Sequence, residues 1–291
     1  MSRTPTQAEA LDANDLLPGH NWTTGRVEEG GDDHLVLIPG DAEPQVVVRI
    51  ARRPDVAAEL PRRMDFLTAI APHLPLTLPV PVTELRQMSR TGARAVGQKY
   101  VPGAQHAPGG GSPEALRAVL DVLENVPTSV WEGLVDPPFE GQPHWNEQER
   151  ELVLQALPDE ARSDAAVVWD ALTAMDGEAV GLVHGDLAGD NMRWIGERVA
   201  GLLDWDHASA WDPAVNLAHL ALWHGAETID AVAPNGHFAA RSGVWVGHLS
   251  LVRVHDAARR QAAGGTVRRW SRLLRKTLPR LEMASTAAGR L

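Results

Sequence analysis

Hydrophobic and polar positions follow two different rhythms along the chain. Within the first hundred residues the apolar positions come in short β-branched runs. HLVLI (His34 to Ile38) and PQVVVRIA (Pro44 to Ala51) read as strands separated by the turn-forming PGDAEP. RAVGQKYVPG reads as another strand ending at Pro102-Gly103, and a helix is expected within Val56 to Ala71, begun or interrupted by Pro61. Residues before Gly30 receive no assignment. The Gly- and Pro-rich PGAQHAPGGGSPEA is the clearest boundary, with Ser112 as an N-cap and Pro113 at the first helical position. Beyond it a helical period predicts Pro113–Asn125, Glu147–Leu157, Ala161–Met175, Pro213–His224, Ser242–Ala263 and Thr266–Leu281. A strand-like island, Gly181 to Trp205, interrupts these helices. The expectation is an α+β chain: a β-rich lobe over 1–102 and a larger helical lobe over 103–291.

Composition narrows the class. With 44% hydrophobic and 22% charged residues, the chain matches soluble globular proteins. No apolar run reaches the ~20 residues of a membrane span, and the first residues lack a basic start followed by an apolar stretch. The absence of cysteine excludes disulfides, thiolate zinc sites and cysteine nucleophiles. A cytoplasmic monomer is expected. The net charge of −11 is uneven: from Arg253 onward there are ten basic and two acidic residues, and before it 17 basic and 36 acidic. Such a body disfavours nucleic-acid backbones and favours cationic ligands, while the basic end reads as a solvated helix face. Only two of the 27 basic residues are lysines, Lys99 and Lys276, so phosphate contacts fall to arginine. GGGS at Gly109 to Ser112 lacks the Lys-Thr of a P-loop, and the twelve histidines show no HExxH spacing.

The chemistry concentrates in the island, GLVHGDLAGDNMRWIGERVAGLLDWD. MRWI and VAGLLDW, separated by GER, predict a hairpin centred near Glu197. That hairpin brings Asn191 beside Leu203 and Asp204, with Asp186 one short loop upstream. Three oxygen-bearing side chains then converge, a set suited to Mg²⁺ with phosphates and water completing the shell. Phosphoryl transfer needs such a set: an aspartate to orient or deprotonate a hydroxyl, and further oxygens to hold the metal. The five-residue step from Asp186 to Asn191 is also the spacing in the catalytic loop of protein kinases.

HGDL with its following Asn, and LLDWD with WDPA, resemble the aminoglycoside phosphotransferase superfamily, small-molecule kinases with a two-lobed, protein-kinase-like fold. VVVRIARRPDV, APHLPLTLPVPV and YVPG look most like the macrolide phosphotransferases, and the resemblance runs from about residue 28 to 225. It implies that Asp186 is the catalytic aspartate, that Asn191 and Asp204 hold Mg²⁺, and that His184 braces the loop. It also implies that Arg49 takes the place of a phosphate-anchoring lysine, with Glu59 preferred over Asp65 as its carboxylate partner. The nucleotide base would rest against Gln98 to Val101, Tyr100 included, and Gly30 and Gly31 would cover the phosphates unless they form an ordinary turn. The donor is GTP or ATP. Where the family has Asp after WDPA, this chain has Asn216, whose amide replaces part of that residue's bracing.

The expected activity is a Mg²⁺-dependent kinase of a small molecule's hydroxyl, a macrolide first, with an aminoglycoside or endogenous metabolite as alternatives. A catalytically silent nucleotide- or drug-binding protein is the rival from another class. A calcineurin-like phosphoesterase would need an early Asp-x-His and a later Asn-His. Asp206 either attracts a substrate amine or caps the segment after it. Trp131, Trp145, Trp223 and Trp245 either line an apolar substrate pocket or fill the core.

Overall fold

Both β-branched runs form strands, and they lie in one antiparallel sheet. In the computed structural model, which describes residues 2–31, 33–135, 145–175, 177, 180–267 and 269–291, that sheet contains β1 (Ser2–Arg3), β2 (Arg26–Glu28), β3 (His34–Ile38), β4 (Val46–Ala51), β5 (Arg86–Gln87) and β6 (Arg94–Lys99). Their spatial order is β1-β2-β3-β4-β6-β5. Alternation along β4 separates two faces. Val48 and Ile50 join a buried cluster with Ala10, Ala13 and Leu16 of α1 (Gln7–Leu16). Arg49 and Val47 point to the other face, and Gln98, paired with Val47, reaches from that face to Met64 of α2 (Pro54–Ile70).

The unassigned residues before Gly30 thus include α1, whose start is a capping box: Thr6 accepts from the Glu9 backbone and Glu9 accepts from that of Thr6. α2 begins at Pro54 and runs through Pro61 without a break. Its buried stripe of Leu60, Met64, Leu67 and Ile70 offsets the roughly 3 kcal/mol that an interior proline costs.

Further along come α3 (Pro113–Glu124), α4 (Thr128–Trp131), α5 (Glu147–Ala156), α6 (Asp159–Met175), β7 (Gly181–Val183), β8 (Met192–Ile195), β9 (Arg198–Leu202), β10 (Ser209–Trp211), α7 (Ala214–His224), α8 (Glu227–Val232), α9 (Gly236–Ala262) and α10 (Trp270–Ala288). Ser112 caps α3 through the Ala115 N–H, as its sequence predicts. Two helices are displaced from expectation. α9 starts six residues earlier because Asn235, a turn residue by sequence, caps it by accepting from the Phe238 N–H. α10 starts later, at Trp270, and continues to Ala288.

Two units emerge. One comprises Met1–Ala104, Ser129–Val135 and Met192–Trp205; the other comprises Gln105–Thr128, Asp136–Asn191 and Asp206–Leu291. The predicted hairpin is real: β8 pairs with β9 in the register Met192↔Leu202, and it belongs to the first unit, bridged to Ala104 and Thr77. In the second unit β7 and β10 pair antiparallel, Val183 opposite Ser209, among helices packed chiefly as α9 with α10, α7 and α6. No described helix is long and apolar enough to cross a membrane.

Candidate active site

The loop after β7 is held by backbone geometry first. Gly185 adopts φ +84°, and a Cβ there would lie 2.1 Å from the His207 carbonyl oxygen. Only glycine fits both demands. Next to it the buried His184 donates its backbone N–H to Asn216 Oδ1 at 3.0 Å, and Asn216 Nδ2 donates to the Leu182 carbonyl at 3.0 Å. The His184 ring in turn accepts from the Asp186 N–H at 3.3 Å. His184 therefore does brace the loop, and Asn216 ties it to α7.

Asp186 is half-buried and fixed from one side. Asn191, closing a 3₁₀ turn over Gly189–Asn191, donates through Nδ2 to both the Asp186 carbonyl and Oδ2, each at 2.9 Å. On the other side His219 Nδ1 stands 3.9 Å from Oδ1. Burial, then the nearby Asp190, push the Asp186 carboxyl above its ordinary pKa, against the opposing pull of His207, the Asn191 bond and Arg253.

α7 supplies that wall with a helical rhythm. Asn216, His219 and Trp223 lie at i, i+3 and i+7 and so share a face. They meet His184, Asp186 and Gly189 in turn: a Cβ at Gly189 would fall 2.0 Å from Trp223 Nε1. The helix is anchored at its start by buried Asp212, which accepts from the Ala214 N–H at 2.9 Å and from the Trp245 indole and forms an ion pair with Arg241 Nη2 at 2.9 Å. Beside Gly185 opens a small pocket lined by His207, Ser209, Trp211, Val215, His219 and Leu249. Burial, with Arg253 and His207 nearby, depresses His219 to a pKa of about 4, so its ring is neutral at physiological pH.

In the first unit Arg49 is buried, its Nη2 2.9 Å from His34 Nδ1 and 3.7 Å from Asp204 Oδ1. Asp204 holds the left-handed φ of +56°, and its side chain is half exposed. Glu59 is exposed and engages Arg62 at 2.8 Å, Asp65 is exposed, and Asp204 is a carboxylate that stands beside Arg49. The Gln98 amide points into the core, donating to the Pro79 carbonyl at 2.8 Å. Lys99 and Tyr100 donate their backbone N–H groups to Val80 and Gln45. Gly30 and Gly31 lie in an exposed turn with room for a side chain at either. Asp206 is buried.

Of the four tryptophans considered from sequence, Trp131 and Trp245 are buried, and Trp145 stacks on His255. Trp223 packs on the loop, and Trp211, which sequence reasoning missed, lines the pocket. His219 was missed too, although its three-residue step from Asn216 along a predicted helix points it the same way.

A model of the phosphotransferase enzyme family matches residues 25–251. The chain belongs to this family. It is 27% identical over 253 residues to the viomycin phosphotransferase of Streptomyces vinaceus, covering 77% of this chain and 82% of that protein. Its fold is similar to that of aminoglycoside 2′-phosphotransferase-IIIa in its GDP complex, with a TM-score of 0.69 at 16% identity over 95% of this chain and 97% of the other. The macrolide 2′-phosphotransferase of Brachybacterium faecium also shares it, with a TM-score of 0.63 at 20% identity over 92% and 97%. This phosphotransferase is therefore an enzyme with the α+β, kinase-like fold that its sequence implies.

Proposed function

We propose that this phosphotransferase is a Mg²⁺-dependent kinase that moves the γ-phosphoryl group of GTP or ATP onto a hydroxyl of a cationic, antibiotic-like small molecule. The observation that carries the reading is Asp186, half-buried and fixed by Asn191 through Oδ2, with Oδ1 3.9 Å from His219, a residue that lines the small pocket beside Gly185. Asp186 orients the acceptor hydroxyl and takes its proton. The acceptor oxygen forms a bond to the γ-phosphorus, the bond to the β–γ bridging oxygen breaks, and a nucleoside diphosphate leaves. The division into a nucleotide-binding lobe over 1–102 and a catalytic and acceptor-binding lobe over 103–291 is part of the same proposal.

Asn191 and Asp204 are the residues that would hold the metal. Asn191 uses its Nδ2 on Asp186, which leaves Oδ1 as the atom to offer, and Asp204 brings a half-exposed carboxylate. Both are hard oxygen donors, and Mg²⁺ is commonly held by only one or two protein groups with phosphates and water. Bound there, Mg²⁺ would neutralise charge on the phosphate oxygens. Arg49 anchors those oxygens with its planar fork of donors. The base lies against Gln98 to Val101 beside Tyr100, taking its backbone donor from Val101 because those of Lys99 and Tyr100 are engaged. Gly31 borders the phosphates from the exposed turn. Structures of similar fold include complexes with GDP and with ATP, and both donors are kept.

The sequence resemblance supports a macrolide acceptor, and the 27% identity to viomycin phosphotransferase supports viomycin as another candidate. The test is mass spectrometry of products after incubation with Mg²⁺, GTP or ATP, and a panel of viomycin, macrolides, aminoglycosides and hydroxyl metabolites. A phosphorylated product is expected, reduced about 10²- to 10⁴-fold in rate by Asp186→Asn. No product from any acceptor, or full activity in Asp186→Asn, overturns the reading.

A further inference from the structure

Asp186 has two carboxylate oxygens in different situations. Oδ2 is taken by the Asn191 amide at 2.9 Å, whereas Oδ1 faces His219 Nδ1 across 3.9 Å. That gap is too wide for a direct hydrogen bond, yet one oxygen atom about 2.8 Å from each group bridges it without strain. The adjoining pocket presents Trp211, Val215 and Leu249 as apolar walls and Ser209 and His207 as polar ones. His219 itself projects from the same face of α7 as Asn216 and Trp223, so two flanking contacts with the loop fix where its ring stands.

We propose that His219 is an acceptor-binding residue, donating an imidazole N–H to the substrate hydroxyl oxygen while that hydroxyl donates its proton toward Asp186 Oδ1. This rests on the kinase reading above and assigns the acceptor side of the same site. The pocket has room for little more than one water-sized group, so it takes the hydroxyl itself while the rest of the acceptor lies outside it. A neutral imidazole, maintained by burial and by Arg253 and His207, also spares a cationic acceptor the repulsion that a second positive charge beside the hydroxyl would bring.

The test compares wild type, His219→Ala and His219→Gln in two measurements: phosphoryl transfer to the acceptor found in the panel, and nucleotide binding with no acceptor present. Loss of the donor is expected to lower kcat/KM for the acceptor about 10- to 100-fold in His219→Ala, the range for a hydrogen bond within a polar site. The nucleotide Kd stays at its wild-type value, and His219→Gln, which keeps an N–H donor, recovers part of the loss. Should His219→Ala not fold, His219→Gln against His219→Leu gives the same contrast. Unchanged transfer in the donor-less variant overturns the inference, as does a loss in His219→Gln as large as that in His219→Ala, which would make His219 a brace of the loop. Failure of the kinase reading is separable: wild type itself then forms no product, and both fall together.

Discussion

Asn216 makes two hydrogen bonds of opposite sense from one buried amide. Its Oδ1 accepts from the His184 N–H and its Nδ2 donates to the Leu182 carbonyl, both at 3.0 Å. The resemblance to the aminoglycoside phosphotransferases leads one to expect Asp at this position, and a carboxylate has only acceptors. It keeps the first bond and turns the second into a buried contact between two oxygens. Asn216→Asp is therefore expected to destabilise the protein by about 1–3 kcal/mol at neutral pH, measured by urea denaturation, although it restores the family residue. The sign with pH follows from linkage: burial raises the folded pKa of the new carboxyl, so the penalty applies above that pKa and fades as pH falls through it. A variant as stable as wild type at every pH would deny the amide its double role. The position of this strap is legible from spacing after WDPA, but the direction of its second bond depends on Leu182, 34 residues away.

At the scale of elements, α7 works as a rail for the loop that carries Asp186. Three side chains at i, i+3 and i+7 meet three loop residues, and the tightest meeting is Trp223 with Gly189. Gly189→Ala puts a methyl group where the indole lies, so loop or indole must shift. A displacement near 1 Å at a reacting group can cost about 10²-fold in rate, so kcat should fall by up to about that factor while the melting temperature changes little. Trp223→Phe in the same chain should restore part of it, and an unaffected kcat in Gly189→Ala would show that α7 does not set the loop. Sequence patterning found α7, the β8–β9 hairpin and the two leading strands because each is a short apolar or β-branched run bounded by turn residues, although β4 is buried on both faces and α7 nearly all round. It passed over α1, whose buried Asp12 serves the turn at Arg90 and Thr91 rather than an apolar stripe. Only the Thr6-x-x-Glu9 box announces that helix. Asp204 as a carboxylate at Arg49 was equally hidden, since 155 positions separate them and a local reading looks to the next helix.

For the whole molecule, the uneven charge gives a way to separate the acceptor from the nucleotide. The chain carries −11, and 36 of its 38 acidic residues precede Arg253, so the body that contains Asp186, Asp190 and Asp204 draws cations at long range. The nucleotide is an anion and meets the opposite field until, on the function proposed above, it reaches Arg49. Salt screens both effects, with a Debye length of about 10 Å at 0.1 M and about 3 Å at 1 M. Raising ionic strength from about 0.05 M to about 0.5 M should therefore increase the KM of a cationic acceptor several-fold and leave that of a neutral acceptor unchanged. The nucleotide KM, measured at saturating acceptor and fixed free Mg²⁺, should hold constant or fall. kcat should stay level in each case, because the reacting groups are separated by a few ångströms and are screened little. If the KM of a cationic acceptor were indifferent to salt, recognition would rest on short-range contacts such as His219 and the pocket walls, and the acidic body would serve solubility alone. Opposite slopes for the two substrates would instead tie the charge of the whole chain to the choice of acceptor.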